Sequence, residues 1–259
     1  MEYSVVIGVD RKTIECLRLV YPTWAKNKPS LFKQPWHVIY DSSQVSIPDI
    51  QYVAPHLHDA NFISWPPPGV QYIRDGLTKW TNPQRAKMLA GFVHAPALVV
   101  DTTYWLKLDL DVVAVGMDDW IDPLWFDDNP SVVAPKWSYT KPATQMVELD
   151  QWVEKYEPFL FRGTDPLNLI PAPGADTVPH ARICSWCAFF STEFTRLCSL
   201  YASQTLGHGQ IPVDSQDGYL FYAAKRAGFN IRTIQPKKRG WKLCHSPAAV
   251  RNFTEALAE

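Results

Sequence analysis

Two short apolar runs with a helical segment between them open the chain. Residues 5–9 form a continuous apolar run, as expected of a strand that is buried on both faces of a parallel sheet. Thr13 can cap the helix that follows, and Pro22 is expected to break the last turn of that helix. Residues 36–40 form a second such strand. A strand, a helix and a strand in this order make a βαβ unit, so the N-terminal half is predicted to be a parallel α/β sheet.

Later segments continue this alternation of strands and helices. Apolar runs predict strands at residues 51–54, 97–100, 104–115 and 183–191. Helical spacing and end signals predict helices at residues 85–93, 192–203 and 214–227. Residues 158–180 contain five prolines, which is typical of a long loop that lies over a site. The predicted fold class is α/β, a single Rossmann-like domain with a central, mostly parallel, twisted sheet flanked by helices.

Composition excludes several classes of protein. The chain has 259 residues, 46% hydrophobic and 20% charged, which excludes general disorder, collagen-like repeats and coiled coil. Its formal net charge of −1 excludes a uniformly basic nucleic-acid-binding surface. No apolar run approaches the roughly 18 residues of a membrane span, so we expect a cytoplasmic protein with no signal peptide and no obligatory span. Cys184 and Cys187 form a CxxC pair that we interpret as buried thiols.

Acidic and basic residues are segregated along the chain. Eight aspartates and one lysine lie between residues 101 and 128, whereas seven Lys or Arg and no carboxylate lie between residues 225 and 242. This pattern fits a protein that binds a cation and a polyanion side by side. It fits two solvated surfaces equally well.

The most specific local pattern is an apolar strand that runs into two aspartates. Alternation along residues 105–113 places three leucines on one side of the strand, and Lys107, Asp109 and Asp111 on the other. Two carboxylates on one edge favour a divalent cation, and hard oxygen ligands suit Mg²⁺ or Mn²⁺ shared with substrate phosphates. The alternative is an exposed strand with two surface acids.

Several motifs in order give the chain a resemblance to nucleotide-sugar glycosyltransferases of the A-type fold, called GT-A. The matching segments are residues 5–10, the helix with Arg85-Ala86-Lys87, the DxD-like Asp109-Leu110-Asp111, residues 185–190, and Asp214-Ser215-Gln216-Asp217. The resemblance implies one GT-A-like catalytic domain over residues 1–259. In it, residues 1–115 would be the nucleotide- and metal-binding half, residues 116–235 the acceptor half, and residues 236–259 a basic C-terminal tail or lid.

The resemblance also implies roles at the reacting centre. Asp111 would bind Mn²⁺ or Mg²⁺ directly, Asp109 would contact the metal through water or contact the ribose, and His245 would be a third ligand. Asp217 would be the catalytic base that removes the proton of the acceptor hydroxyl, with inversion at the sugar. The family's usual Glu before this Asp is Gln216 here.

Binding of the donor and the acceptor is implied in the same way. Val9, Arg11 and Asp41 occupy the positions that hold the base, where an aspartate that accepts from a ring N–H favours UDP. The remaining donor contacts are Arg85 with the phosphates, Trp186 with the sugar and Lys242 in the basic cover. Trp137 and Asp217 would meet the acceptor, which is a saccharide, lipid, protein or modified nucleobase. The implied activity is that of a metal-dependent, hexosyltransferase-type enzyme that moves one sugar.

Two other functions remain open from the sequence. Asp109, Asp111 and Val113 also satisfy the DxDx[T/V] pattern of haloacid-dehalogenase-like phosphatases, in which the first Asp is the nucleophile. That motif belongs on the first strand of its domain, whereas about a hundred residues precede it here. The second alternative is a non-catalytic protein that binds nucleotide sugars and has lost the base.

Overall fold

The computed structural model describes residues 1–11, 13–65, 94–116, 118, 120–140, 169–171, 181–183, 187–206, 230–234 and 243–245. Its strands are β1 (Tyr3–Val9), β2 (Trp36–Tyr40), β3 (Asn61–Ser64), β4 (Tyr104–Leu108), β5 (Val112–Ala114), β6 (Val132–Thr140), β7 (Leu169–Pro171), β8 (Ala181–Ile183), β9 (Cys187–Ser191), β10 (Ile231–Ile234) and β11 (Leu243–His245). Its α-helices are α1 (Thr13–Asn27), α2 (Ile47–Val53), α3 (Ala95–Val99) and α4 (Thr192–Leu206). None of the described helices is long and apolar enough to cross a membrane.

The main sheet has the strand order β3-β2-β1-β4-β9-β6-β10-β7, and β8 pairs with β6. Strands β3, β2, β1 and β4 are parallel to one another, as are β6, β10 and β7. Strand β9 is antiparallel to both β4 and β6, between which it lies. Strands β5 and β11 form a separate antiparallel pair. The predicted α/β class with a mostly parallel sheet is therefore confirmed.

Helices cover both faces of the sheet. On one face, α1 buries Leu17, Val20 and Trp24, which recur at helical spacing and join a core cluster with Val5 and Leu106. On the other face, the ring of Trp105 stacks on Phe190 at 5.0 Å between centroids, and its Nε1 donates to Thr195 Oγ1 of α4 at 2.7 Å. Because both faces are covered, β1 and β4 are apolar nearly throughout, and this is the pattern that revealed them.

Two predicted strands are helices in the structure. Residues 51–54 lie in or just after α2, which begins after Ser46 with a capping box between Ser46 and Asp49. Residues 97–100 lie mostly in α3, which has Pro96 in its first turn. A run of about four apolar residues does not distinguish a strand from a short helix. The residues at the start of each segment, Ser46 and Pro96, are the signals that favour a helix. The third strand is Asn61–Ser64.

Helix α1 also differs from its prediction. Pro22 lies inside the helix, which continues to Asn27, because the residues around it are packed against the core. The N-terminal cap is Asp10 rather than Thr13, since Asp10 Oδ1 accepts from the Thr13 N–H at 2.8 Å. The Asp10 N–H in turn donates to Thr13 Oγ1 at 2.8 Å, which completes a reciprocal cap.

Three further predictions concern the second half of the chain. The helix predicted at residues 192–203 is confirmed and extends to Leu206. The strand predicted at residues 183–191 ends in β9, and β8 precedes it separately. The helices predicted at residues 85–93 and 214–227 lie outside the described residues, as does all but β7 of the loop predicted at residues 158–180. Cys187 is buried, as predicted, and Cys184 lies outside the described residues.

Buried His37 in β2 is expected to make stability depend on pH. Burial lowers its pKa, an effect that Asp101 partly offsets, and burial also lowers the pKa of His94. Near pH 6.5, the unfolded chain therefore binds protons that the folded chain does not bind. The free energy of unfolding is therefore highest above that pH, and it decreases as the pH falls towards the lower, folded-state pKa.

The test is urea unfolding between pH 7.5 and 5. Replacing His37 with Gln should flatten the pH dependence, although not remove it, because His94 contributes in the same direction. The control is His58→Gln, since the His58 side chain is 83% exposed. Equal pH dependence in His37→Gln and the wild type would contradict this assignment.

Candidate active site

The carboxyl ends of β1, β2 and β4 lie at one edge of the sheet. Strand β1 is parallel to both neighbours, with Val9 level with Tyr40 of β2 and Val6 level with Lys107 of β4. In open α/β sheets, ligands bind outside this edge. Val9, Arg11, Asp41, Asp109 and Asp111 therefore lie at this edge, although they are far apart in sequence.

Asp109 and Asp111 lie in a turn that follows β4, here named the carboxylate turn (residues 109–111). The N–H of Val112 donates to the carbonyl of Asp109 at 3.2 Å, which closes the turn before β5 begins. The Asp109 side chain is 30% exposed. Asp111 is half-buried, and its Oδ1 atom is removed from solvent. Two carboxylates, two positions apart in the sequence, thus lie at the ligand-binding edge.

The surroundings of this turn differ from the exposed alternating strand that the sequence allowed. The predicted strand at residues 104–115 is interrupted by the turn, and every residue of β4 is buried. Lys107 is fully buried rather than on an open side, and its Nζ forms an ion pair with Asp109 Oδ1. Burial arises because β4 is an inner strand, which local alternation does not reveal.

Side chains of α1 hold β5, the strand that follows the carboxylate turn. Trp24 Nε1 donates to the carbonyl of Val112 at 2.6 Å, and Asn27 Nδ2 donates to that of Ala114 at 2.8 Å. Thr23 Oγ1 accepts from the Ala114 N–H at 3.0 Å, and Lys28 Nζ donates to the carbonyl of Val115 at 2.9 Å. These side chains, from the end of α1 and from Lys28 directly after it, bond to backbone groups that a neighbouring strand would otherwise pair. The position of the carboxylate turn therefore depends on the C-terminal end of α1.

We expect Trp24→Phe to weaken both folding and cation binding. The change keeps an aromatic ring but leaves the Val112 carbonyl without its donor, which should reduce the free energy of unfolding by about 1 to 2 kcal/mol. Trp36→Phe is the matched control, because it loses a similar bond, from Trp36 Nε1 to the Leu31 carbonyl at 2.8 Å, away from β5. Urea unfolding should show similar losses, whereas Mn²⁺ titration should show weaker binding in Trp24→Phe alone. Equal Mn²⁺ affinity in the two variants would contradict a role for α1 in holding the turn.

Strand β11 lies on the other edge of β5. Their antiparallel register places His245 opposite Val112, the residue that directly follows Asp111. The pairing therefore brings the backbone of His245, from the far end of the sequence, next to the carboxylate turn. Sequence reasoning proposed His245 as a partner of the two aspartates, and the register is compatible with that role.

The loop after β2 gathers the residues predicted to hold the base. The Asp41 N–H donates to the carbonyl of Val9 at 3.0 Å, which links the ends of β1 and β2. The buried Asp41 carboxylate accepts from Ser43 Oγ at 2.5 Å and from Gln44 Nε2 at 2.6 Å. Gln44 Oε1 in turn accepts from the Arg11 N–H at 3.4 Å. These bonds bring Val9, Arg11 and Asp41 together, and Asp41 is the centre of a turn.

Sequence reasoning missed Gln44 and the serines around it. An open groove of about 520 Å³ is lined by Tyr40 and residues 42–49, and it begins at the end of β2. The run Asp41-Ser42-Ser43-Gln44 directly after a strand is typical of a turn centred on an aspartate, and this signal could have identified the loop.

Other predicted site residues have no described side chain. Arg85, Trp186, Asp217 and Lys242 lie outside the described residues. Trp137 lies in β6, and its backbone alone is described, as is that of His245 in β11. Among the side chains that the structure describes, no group of three or more metal-ligating residues lies together. The two carboxylates of the turn nevertheless fit Mn²⁺ or Mg²⁺, which prefer oxygen ligands.

Comparison with known proteins identifies the fold. The chain matches no protein-family model and no curated protein. Its structure is similar to that of the galactosyltransferase LgtC in complex with donor and acceptor sugar analogs, with a TM-score of 0.55 and 14% identity over 98% of this chain and 95% of that chain. It is also similar to core-mannan synthase A from Aspergillus fumigatus in an Mn/GDP form, with a TM-score of 0.51 and 12% identity over 97% and 82% of the two chains. For mouse xyloside xylosyltransferase 1 in its apo form, the TM-score is 0.51 and the identity 8% over 96% and 99%. The chain therefore has the fold of GT-A glycosyltransferases.

Proposed function

We propose that this protein is a metal-dependent glycosyltransferase that moves one sugar from a nucleotide diphosphate sugar to an acceptor hydroxyl, with UDP as the favoured nucleotide. The observation that carries the proposal is the carboxylate turn at the carboxyl edge of the sheet, on a GT-A fold, with the backbone of His245 beside it. On this proposal residues 1–115 bind nucleotide and metal, residues 116–235 bind the acceptor, and residues 236–259 cover the donor.

Asp109, Asp111 and His245 would hold the Mn²⁺ or Mg²⁺, which when bound offsets the charge of the diphosphate and makes it a better leaving group. Oxygen ligands and an imidazole together favour Mn²⁺. The half-buried position of Asp111 excludes part of the surrounding water, and this strengthens the attraction of its carboxylate for a cation.

The bonded loop after β2 would hold the nucleoside. Because Asp41 is fixed by Ser43 and Gln44, its carboxylate is oriented in advance for a uracil ring N–H. Val9 and Arg11 border the same position through the end of β1. Arg85 is proposed to contact the phosphates and Trp186 the sugar, and Lys242 to close over the diphosphate.

The acceptor would lie opposite the donor, against Trp137. Asp217 is the proposed base: it takes the proton of the acceptor hydroxyl while that oxygen forms a bond to the sugar carbon and the nucleoside diphosphate departs. Attack from the face opposite the leaving group inverts the configuration at that carbon. The phosphatase alternative is disfavoured because three described strands, β1 to β3, precede the strand that Asp109 follows.

The test is a panel of nucleotide sugars with Mn²⁺, in which the released nucleotide is measured for the wild type and for two variants. Asp111→Asn should reduce release by about 100-fold or more, whereas Asp59→Asn, whose side chain is fully exposed, should match the wild type. Release from no donor above the Asp111→Asn background would reject an enzyme. Binding of UDP with Mn²⁺ but without release would instead support the non-catalytic alternative.

A further inference from the structure

Lys107 is a fully buried lysine in the middle of the sheet. It lies in β4 between Val6 of β1 and Ala188 of β9, both of which are fully buried and apolar. Its Nζ contacts Oδ1 of Asp109, the first residue of the carboxylate turn. A positive charge thus lies against one of the two carboxylates that are proposed to hold the metal.

Burying the Lys107 ammonium costs free energy unless an opposite charge compensates it. Lysine is rarely fully buried, and an ammonium inside a protein is stabilised only by nearby negative charge and hydrogen bonds. The other four residues of β4 are Tyr104, Trp105, Leu106 and Leu108, so an apolar side chain would suit position 107 at least as well for packing. The Asp109 carboxylate lies within contact of Nζ and supplies the negative charge.

We propose that Lys107 is a positioning residue that acts through Asp109 as a resident counter-cation, and that it makes divalent-cation binding depend on the donor diphosphate. This inference rests on the proposed function. Lys107 offsets one of the two negative charges that Asp109 and Asp111 bring to the carboxylate turn. A less negative site attracts a free divalent cation less strongly.

The donor changes this balance because its diphosphate brings its own negative charge. Without the donor, Lys107 holds Asp109 in place and prevents repulsion between the two carboxylates. With the donor, the added phosphate charge makes the site attractive to Mn²⁺ despite Lys107. The cation is then retained while a diphosphate is present and released with it.

The test measures Mn²⁺ binding by titration calorimetry, with and without UDP. Lys107→Met removes the charge at similar volume, and Lys107→Gln removes it but keeps a hydrogen-bond donor. Both should bind Mn²⁺ about 10-fold more tightly than the wild type in the absence of UDP. The gain in Mn²⁺ affinity caused by UDP should shrink by a similar factor. Lys107→Arg, which keeps the charge, should retain the wild-type dependence on UDP.

A double-variant cycle separates this role from simple packing. Because Nζ of Lys107 contacts the Asp109 carboxylate, the gain in Mn²⁺ affinity caused by Lys107→Met should be smaller when Asp109 is already Asn. Unchanged Mn²⁺ affinity in Lys107→Met or Lys107→Gln would overturn the inference, as would an equal gain in the Asp109→Asn background. If Lys107→Met does not fold, the Mn²⁺ affinity of Lys107→Gln alone tests the inference.

The same titration distinguishes failure of the proposed function. Asp111→Asn should lose Mn²⁺ binding in the presence of UDP. If Asp111→Asn binds Mn²⁺ and UDP as the wild type does, the metal site itself is wrong and both proposals are rejected. If Asp111→Asn loses binding while the Lys107 variants behave as the wild type, the inference about Lys107 is rejected and the proposed function stands.

Discussion

Replacing Asp111 with Asn should reduce the rate of nucleotide release by about 100-fold or more. Mutating a residue that only hydrogen-bonds to a metal ligand already costs up to about 100-fold in activity, and loss of the ligand itself should cost at least as much. The change is nearly isosteric, so it removes charge while keeping the shape of the turn. Asp111 precedes β5, which α1 holds by hydrogen bonds to Val112 and Ala114, so the backbone should stay in place. The loss should therefore appear in Mn²⁺ dependence as well as in rate.

Two measurements accompany this prediction. Steady-state kinetics over a range of Mn²⁺ concentrations should show that a large excess of metal restores part of the lost rate in Asp111→Asn. Thermal unfolding should place the variant near the wild type, since the changed side chain is only half-buried. A rate within threefold of the wild type at low Mn²⁺ would contradict a direct role for Asp111.

Replacing Lys28 with Met should produce the largest loss of stability. Lys28 is fully buried, and its Nζ donates to the carbonyls of Asn27, Val115 and Gly116 at 3.1, 2.9 and 3.4 Å. Without the ammonium, these part-buried carbonyls lose a charged donor, which should lower the free energy of unfolding by about 3 kcal/mol. In a chain of this size that corresponds to a decrease in Tm of about 6 to 12 °C.

Lys26→Met is the matched control, because Lys26 is an exposed lysine in α1, two residues before Lys28. It should change the Tm by less than about 2 °C, as expected of a surface substitution. Calorimetry of both variants checks the prediction. A similar Tm for Lys28→Met and Lys26→Met would show that the ammonium of Lys28 does not hold the segment after β5.

The proposed metal site combines parts of the chain that are distant in sequence. The carboxylate turn follows β4, its far side is held by α1, and β11 from the C-terminal region pairs with β5. A change in any of these elements is therefore expected to reach the metal site. This explains why Trp24, which contacts no predicted ligand, has a predicted effect on Mn²⁺ binding.

Much of the fold could be read from the sequence where the segments were long or strongly apolar. Residues 5–9 and 36–40 gave β1 and β2 because strands covered on both faces are apolar throughout. Residues 51–54 and 97–100 were assigned wrongly, because such short runs carry no period. The capping box at Ser46 and the proline in the first turn of α3 indicate helices instead.

The sequence by itself determined that two carboxylates, Asp109 and Asp111, end an apolar strand of an α/β sheet, because this depends on neighbours along the chain. Only the tertiary structure shows that Lys107 is fully buried in contact with Asp109, and that α1 and β11 lie on the two edges of β5. Burial and pairing of this kind depend on contacts between residues that are many tens of positions apart. Local periodicity carries no information about such contacts, so the surroundings of the carboxylates became visible only in the folded chain.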